Sequence, residues 1–248
     1  MAHTKTVKDL IYPETVVTGF SRVDGTVHFY QQINALIEPH HTVLDIGAGR
    51  GRAHHDDIVA YRRGLRNMKG KCAKVIGVDV DPAIDQNPSL DEALILENGV
   101  FPIADSSVDI AFSDWTLEHI PDPLQFSNEV YRVLKPGGWL CARTPNKYGY
   151  IALASRLIPE SLHKAVLGWA QPDRKEEDVF PTHYLLNTNR QLRRYFARSR
   201  WELYTYTHTS EPAYFGNSYH LWQVARTMFW LTPPFLGPVL MIFIRKCD

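Results

Sequence analysis

The chain reads as an α/β domain built on a mostly parallel sheet. Three observations predict it. Short apolar runs recur at residues 43–46, 75–78 and 109–113, stretches of helical periodicity separate such runs, and a glycine-rich turn, Gly47, Gly49 and Gly51, directly follows the first. Apolar runs of this length, bounded by polar residues and glycines, are how strands buried on both faces of a sheet appear in sequence.

Composition bounds the function. At 248 residues the chain can bury a full core as one large domain. Its 44% hydrophobic and 22% charged residues are ordinary for a globular protein. A formal net charge of zero offers no field that would gather nucleic acid, so no nucleic-acid partner is expected. Cys72, Cys141 and Cys247 form no C-x-x-C pair and the amino terminus lacks the apolar core of a signal peptide, which together predict a cytoplasmic location. The apolar stretch 228–244 is broken by Pro233, Pro234, Gly237 and Pro238 and falls short of the roughly 20 residues a spanning helix needs, so no transmembrane span is expected.

Residues before about 19 carry little periodic signal and are expected to form a loose arm. Val27, Tyr30, Ile33, Leu36 and Ile37 then recur at helical spacing, and Pro39 stops that helix ahead of the first strand. Packing is the first role of such a helix, and Tyr30 is a minor ligand candidate. The first strand carries Asp45 and enters the glycine turn, where the missing Cβ atoms let backbone and ligand approach closely. His54, His55, Asp56 and Asp57 follow in a row, but neighbours on a helix point some 100° apart and cannot all ligate one ion, so no metal site is expected. They are expected to start the first crossover helix. Val75, Ile76 and Val78 make the second strand, which ends at Asp79 and Val80. A carboxylate at that point accepts hydrogen bonds from both hydroxyls of a ribose. A dinucleotide site would need a third glycine where Arg52 stands, and an acid nearer the turn than Asp79.

Asp45, Gly47, Gly49 and Gly51 fill the pattern D-x-G-x-G-x-G, and here the chain resembles motif I of the class I S-adenosyl-L-methionine (SAM) dependent methyltransferases. Three further blocks are similar to that family in the same order. One is the strand ending at Asp79. Another is 97–123, similar to the consensus D-A-x-x-L-P-F-x-D-x-S-F-D, preceded by a short helix or strand near 93–96. The last is 130–144, where Lys135, Pro136, Gly137 and Gly138 form a turn between helix and fifth strand, with glycine expected to end the helix in a left-handed conformation. The resemblance covers about 43–143. It implies a Rossmann-like seven-stranded sheet of order 3-2-1-4-5-7-6 with helices on both faces, and SAM as cofactor. Carried over by position, it implies that Asp45, Gly47, Gly49 and Gly51 hold the methionine end, with Asp114 near its amino group. Asp79, with Val80, would meet the ribose, and Glu97 and Asn98 the adenine. Glu97 stands where family members mostly carry Asp.

Past the fourth strand, Asp114, Trp115, Glu118 and His119 fall at the carboxyl ends of the strands, where open α/β sheets collect ligands. Leu117, Glu118 and His119 resemble a pattern of quinone-type and related small-molecule methyltransferases. His119 can take a proton from an attacking hydroxyl or simply cap a polar helix start. The common core is expected at 27–144, 187–209 and 238–247 of one domain spanning 1–248, with lid insertions at about 145–186 and 210–237. Trp115, Tyr148, His183 and Tyr184 are candidate substrate contacts, and His183 is a second candidate base. A helix is expected over 187–199, with Leu192, Tyr195 and Phe196 on one face and Arg190, Arg193, Arg194 and Arg198 on the other; these arginines are a solvated face or a contact for anionic lipid or phosphate. Residues 201–209 and 238–247 read as the sixth and seventh strands. The aromatic stretch 213–236, with Tyr214, Phe215, Tyr219, Trp222, Phe229 and Trp230, can roof the site, pair two copies as a homodimer or touch a membrane surface.

The expected function is SAM-dependent methyl transfer to a small-molecule or lipid-like acceptor through an O, S or N nucleophile. Two other classes stay open. An NAD(P)-dependent oxidoreductase is opposed by Arg52, and a catalytically silent SAM-fold binding or assembly protein would use the aromatic stretch as its interface.

Overall fold

The computed structural model describes residues 6–149, 181–211 and 218–247. Its seven strands are β1 (Thr42–Ile46), β2 (Lys74–Asp79), β3 (Glu92–Ile95), β4 (Val108–Asp114), β5 (Leu134–Pro145), β6 (Trp201–His208) and β7 (Val239–Lys246). They form one sheet in the order β3-β2-β1-β4-β5-β7-β6. The first five run parallel, and β7 lies antiparallel between β5 and β6. Strand order reverses between β1 and β4, which places the ligand crevice of an open sheet at their carboxyl ends.

Helices cover both faces: α1 (Val7–Ile11), α2 (Thr15–Thr18), α3 (Gly25–Leu36), α4 (Arg52–Asp56), α5 (Ala60–Arg66), α6 (Pro123–Val133), α7 (Asn189–Tyr195) and α8 (Tyr219–Leu231). Their starts are chemically marked. Asp24 accepts the Thr26 and Val27 N–H groups at the head of α3, Asp122 does the same for α6 ahead of Pro123, and Thr188 caps α7. On one face Phe126, Val130 and Val133 of α6, with Leu192 of α7, pack on Ile46, Leu140 and Ile242. On the other, Phe29, Tyr30 and Ile33 of α3 pack on Val43, Ile110 and Phe243. Phe29 is fully buried, and its removal would cost about 3–5 kcal/mol.

Three expectations are corrected. The first residues are no loose arm: Thr6 and Asp9 form a reciprocal capping box that starts α1, and Val7, Ile11 and Tyr12 pack against Trp222 of α8. Lys8 adds a 2.7 Å ion pair to Glu211. Second, glycine does not end α6. That helix stops at Val133 with Leu134 in an extended conformation, and Gly137, at φ +75°, turns the chain only afterwards. Third, the crossover after β1 is split into α4 and α5. Tyr214 and Phe215 lie outside the described residues. Among those described, no helix is long and apolar enough to cross a membrane.

Candidate active site

β1 delivers the chain into a turn whose three glycines all have positive φ: +77° at Gly47, +50° at Gly49 and +70° at Gly51. L side chains rarely enter that region. The three are glycine for different reasons. A Cβ on Gly47 would overlap the Thr116 side chain and one on Gly51 the Asn87 amide oxygen, so the protein itself crowds these two. A Cβ on Gly49 would meet nothing within 4 Å, so this glycine alone faces an open cradle. Asp79 at the end of β2 clamps the loop. Its Oδ2 accepts the Gly49 N–H at 2.8 Å and its Oδ1 the Asp81 N–H at 2.9 Å. Asn87 donates from Nδ2 to the Ala48 and Gly49 carbonyls at 3.0 and 3.1 Å.

Two cavities open on either side of this loop. The first, about 430 Å³, is lined by Asp79 and Val80 after β2, by Leu96, Gly99 and Phe101, and by Trp115, His119, Ile120 and His183. Glu97 and Asn98 are exposed and line neither cavity. Asn98 adopts φ +52° and its carbonyl accepts the Gln125 side-chain amide at 2.6 Å, while Gly99 reaches the cavity wall. The second cavity, about 280 Å³, is lined by Tyr30, Asp45, Arg63, Arg66 and Asn87. Gly47, Gly49 and Asp114 belong to both.

Asp114 is the most constrained of these groups. Arg143, its register partner on β5, donates from Nε to Oδ1 and from Nη2 to Oδ2, the latter at 2.9 Å, and the Tyr30 hydroxyl donates to Oδ2 at 3.0 Å. Burial pushes the Asp114 carboxyl up, but Arg143, Arg66 and Tyr30 together outweigh it and hold the group below its ordinary value. Among the described residues Asp45 has no such partner: burial, then the charges of Asp114 and Asp79, raise its carboxyl well above the usual range. The Arg143 guanidinium stacks over the Phe29 and Trp115 rings at 5.4 Å from each. Trp115 sits at φ +60°, a strained conformation for a bulky residue, and its N–H donates to the Arg143 carbonyl at 3.1 Å.

Beyond Trp115, a short 3-10 turn (Leu117–His119) receives the segment from residue 181. The His183 and Tyr184 N–H groups both donate to the Glu118 carbonyl, at 2.7 and 3.2 Å. His119 Nδ1 lies 2.9 Å from the Pro181 carbonyl. A carbonyl only accepts, so Nδ1 carries the proton and the lone pair of the neutral ring is on Nε2. The Glu118 side chain turns inward instead, accepting the Thr144 hydroxyl at 2.8 Å, with burial holding its carboxyl up. His119 and His183 thus share one cavity, whereas Tyr148 and Tyr184 line neither; Tyr148 is exposed on the turn after β5. In the row after the glycine turn, Asp56 pairs with Arg52 and Asp57 with Arg62, while His54 lines the second cavity.

Residues 44–142, from β1 to β5, match the model of a methyltransferase domain. The strand order is that of the class I methyltransferase fold. An uncharacterized methyltransferase of Mycobacterium sp. (strain JLS) is 35% identical over 101 residues, which is 39% of this chain and 36% of that protein. Another, from Mycobacterium bovis (strain BCG / Pasteur 1173P2), is 36% identical over 108 residues with the same shares. The chain thus matches over little more than a third of the length of these relatives. SAM-dependent methyltransferases of Archaeoglobus fulgidus and Aquifex aeolicus share the fold, with TM-scores of 0.55 and 0.51 over 94% and 98% of this chain and 97% of each of theirs, at 17% and 16% identity. The open cradle at Gly49, beside a carboxylate at the end of β2, fits the SAM on which those structural relatives depend. Sequence reasoning passed over Arg143 and Arg66 of this domain. The signal for Arg143 was strand register, since it ends β5 directly across from Asp114.

Proposed function

We propose that the chain transfers a methyl group from SAM to an oxygen, sulfur or nitrogen atom of a small-molecule or lipid-like acceptor, releasing S-adenosylhomocysteine. The observation that carries this reading is the pair of cavities meeting at Gly47, Gly49 and Asp114. One has an apolar wall of Val80, Leu96, Phe101 and Ile120 with Asp79 at its edge, which suits adenine and ribose. Glu97 and Asn98 stand outside that wall, so adenine would be held there chiefly by burial of its faces. The other presents guanidiniums and carboxylates together, which suits a zwitterionic amino-acid tail: Asp45 and Asp114 toward its ammonium, Arg63 and Arg66 toward its carboxylate.

Bound there, SAM supplies a methyl group on a sulfonium that an acceptor displaces in line. The chain has to hold both partners aligned and keep water out. The Trp115 ring, fixed by its strained backbone and the Arg143 stack, walls the first cavity on the side of His119 and His183. With Nδ1–H donated to the Pro181 carbonyl, His119 presents Nε2 as the basic atom, placed to take the proton of an attacking hydroxyl. A thiol or a neutral amine needs less help. Of the late stretches expected as lids, residues 150–180 and 212–217 lie outside the described residues. Free cysteines accord with work in a reducing cytoplasm.

Incubation of the protein and SAM with a cell extract, followed by mass spectrometry, tests the reading. A metabolite or lipid gaining one methyl group, with stoichiometric S-adenosylhomocysteine, is the expected result. Binding of SAM without any methylated product would leave a binding protein and reject the enzyme.

A further inference from the structure

Helix α8 is apolar on two sides. One side is buried: Trp222 packs on Val7, Ile11 and Tyr12. The other is a stripe of Leu221, Val224, Met228 and Leu231, spaced by helical steps of three and four, and all four are exposed. Beside it Trp230 is 84% exposed, and Phe235, in the turn after the helix, 66%. A surface helix needs one apolar face, and a second one that leaves a tryptophan in water marks a surface built for contact.

Charge selects the kind of contact. Over residues 212–244 the sequence holds a single charged side chain, Arg226, and no carboxylate. A partner protein recognised by charge has almost nothing to read there. A lipid surface suits it: the aliphatic stripe enters the acyl boundary, tryptophan and phenylalanine lie at headgroup depth, and the stretch holds no carboxylate to repel anionic headgroups. The stripe has the spacing of a helix-pairing seam, which makes a second copy the rival occupant. Against it, α8 has only 13 residues, fewer than two heptads, and Trp230 and Phe235 project outside the seam.

Position links this surface to the site. Asn146, three residues beyond Arg143 on the same chain run, donates from Nδ2 to the carbonyls of Phe235 and Gly237 at 2.9 and 2.7 Å. The turn that carries Phe235 is therefore tied to the carboxyl end of β5, the end of the sheet where Arg143 holds Asp114.

We propose that α8 and the turn at 233–237 dock the methyltransferase domain on a lipid surface, so that its acceptor is a membrane lipid reached at that end of the sheet. The acceptor class rests on the methyl-transfer reading, whereas docking does not. Vesicle flotation tests it, with phosphatidylcholine alone and with phosphatidylcholine containing phosphatidylglycerol. The protein should float with the anionic vesicles, and a triple variant Val224→Gln, Met228→Gln, Trp230→Gln should bind at least tenfold less while keeping its melting temperature and its affinity for S-adenosylhomocysteine. Wild-type protein that stays soluble with both vesicles overturns the proposal, as does a triple variant that floats like wild type. A dimer in sedimentation velocity that the triple variant abolishes, without flotation of the wild type, assigns the stripe to a second copy. Flotation by a protein that binds no S-adenosylhomocysteine would keep the docking and reject the methyl-transfer reading instead.

Discussion

Arg143 and Asp114 end neighbouring strands in register, and the guanidinium grips both carboxylate oxygens where the two cavities meet. Both side chains are largely buried, at 4% and 13% exposure. Asp114 is held below its ordinary value, so its contribution to stability is present above the usual carboxylate range and is lost as pH falls through the depressed native value. Arg143→Met strands a buried carboxylate and should cost about 3–5 kcal/mol in denaturant unfolding at neutral pH. The deficit should shrink on acidification, as Asp114 takes up a proton. A variant as stable as wild type at neutral pH would contradict the pairing.

Asp45 carries the opposite sign. Its raised native value means that the group favours folding only below the ordinary carboxylate range, and that benefit is lost as pH rises through the native value. Asp45→Asn should therefore raise the melting temperature near pH 8 and change it little near pH 4, while weakening SAM binding. A lower melting temperature at the alkaline end would show that the carboxylate has a stabilising partner.

The glycine turn offers a paired test. Alanine at either position meets a positive φ, a cost of ~1–2 kcal/mol. Gly47→Ala adds the overlap with Thr116 and should lose much more stability. Gly49→Ala has room within the protein, so thermal melts should show only the backbone cost while SAM affinity falls tenfold or more. Full affinity in Gly49→Ala would mean that the cradle holds no ligand.

For a hydroxyl acceptor, His119→Ala should leave SAM affinity unchanged and lower kcat by roughly 10²–10⁴, the scale of general base catalysis. Equal turnover would remove His119 from the chemistry and point to an acceptor that needs no base.

Much of this architecture was legible in the chain. The strands could be read because β1, β2 and β4 are mostly apolar runs that end at a glycine or an acid, a consequence of burial on both sheet faces. Asp79 could be read because it ends such a run. What escaped depends on neighbours distant in sequence. Arg143 looks like any strand residue until β4–β5 register sets it against Asp114. Glu118 and His119 are adjacent in one motif, yet the tight 3-10 turn sends the first into the core and the second to the cavity wall. Glu97 and Asn98 match a consensus position, but the backbone turns at Asn98 and presents Gly99 instead. The helix α1 was legible in principle, since Thr6 and Asp9 stand at capping-box spacing before Val7 and Ile11, but its reason to persist, Trp222, lies more than 200 residues away.

Calorimetric titration of S-adenosylhomocysteine into the wild-type protein and into Asp79→Ala tests the central claim most directly. A single site in the wild type, weakened by ~1–3 kcal/mol in a folded variant that has lost a charge-assisted acceptor, is the predicted result. No binding to the wild type, or equal affinity in the folded variant, would contradict it.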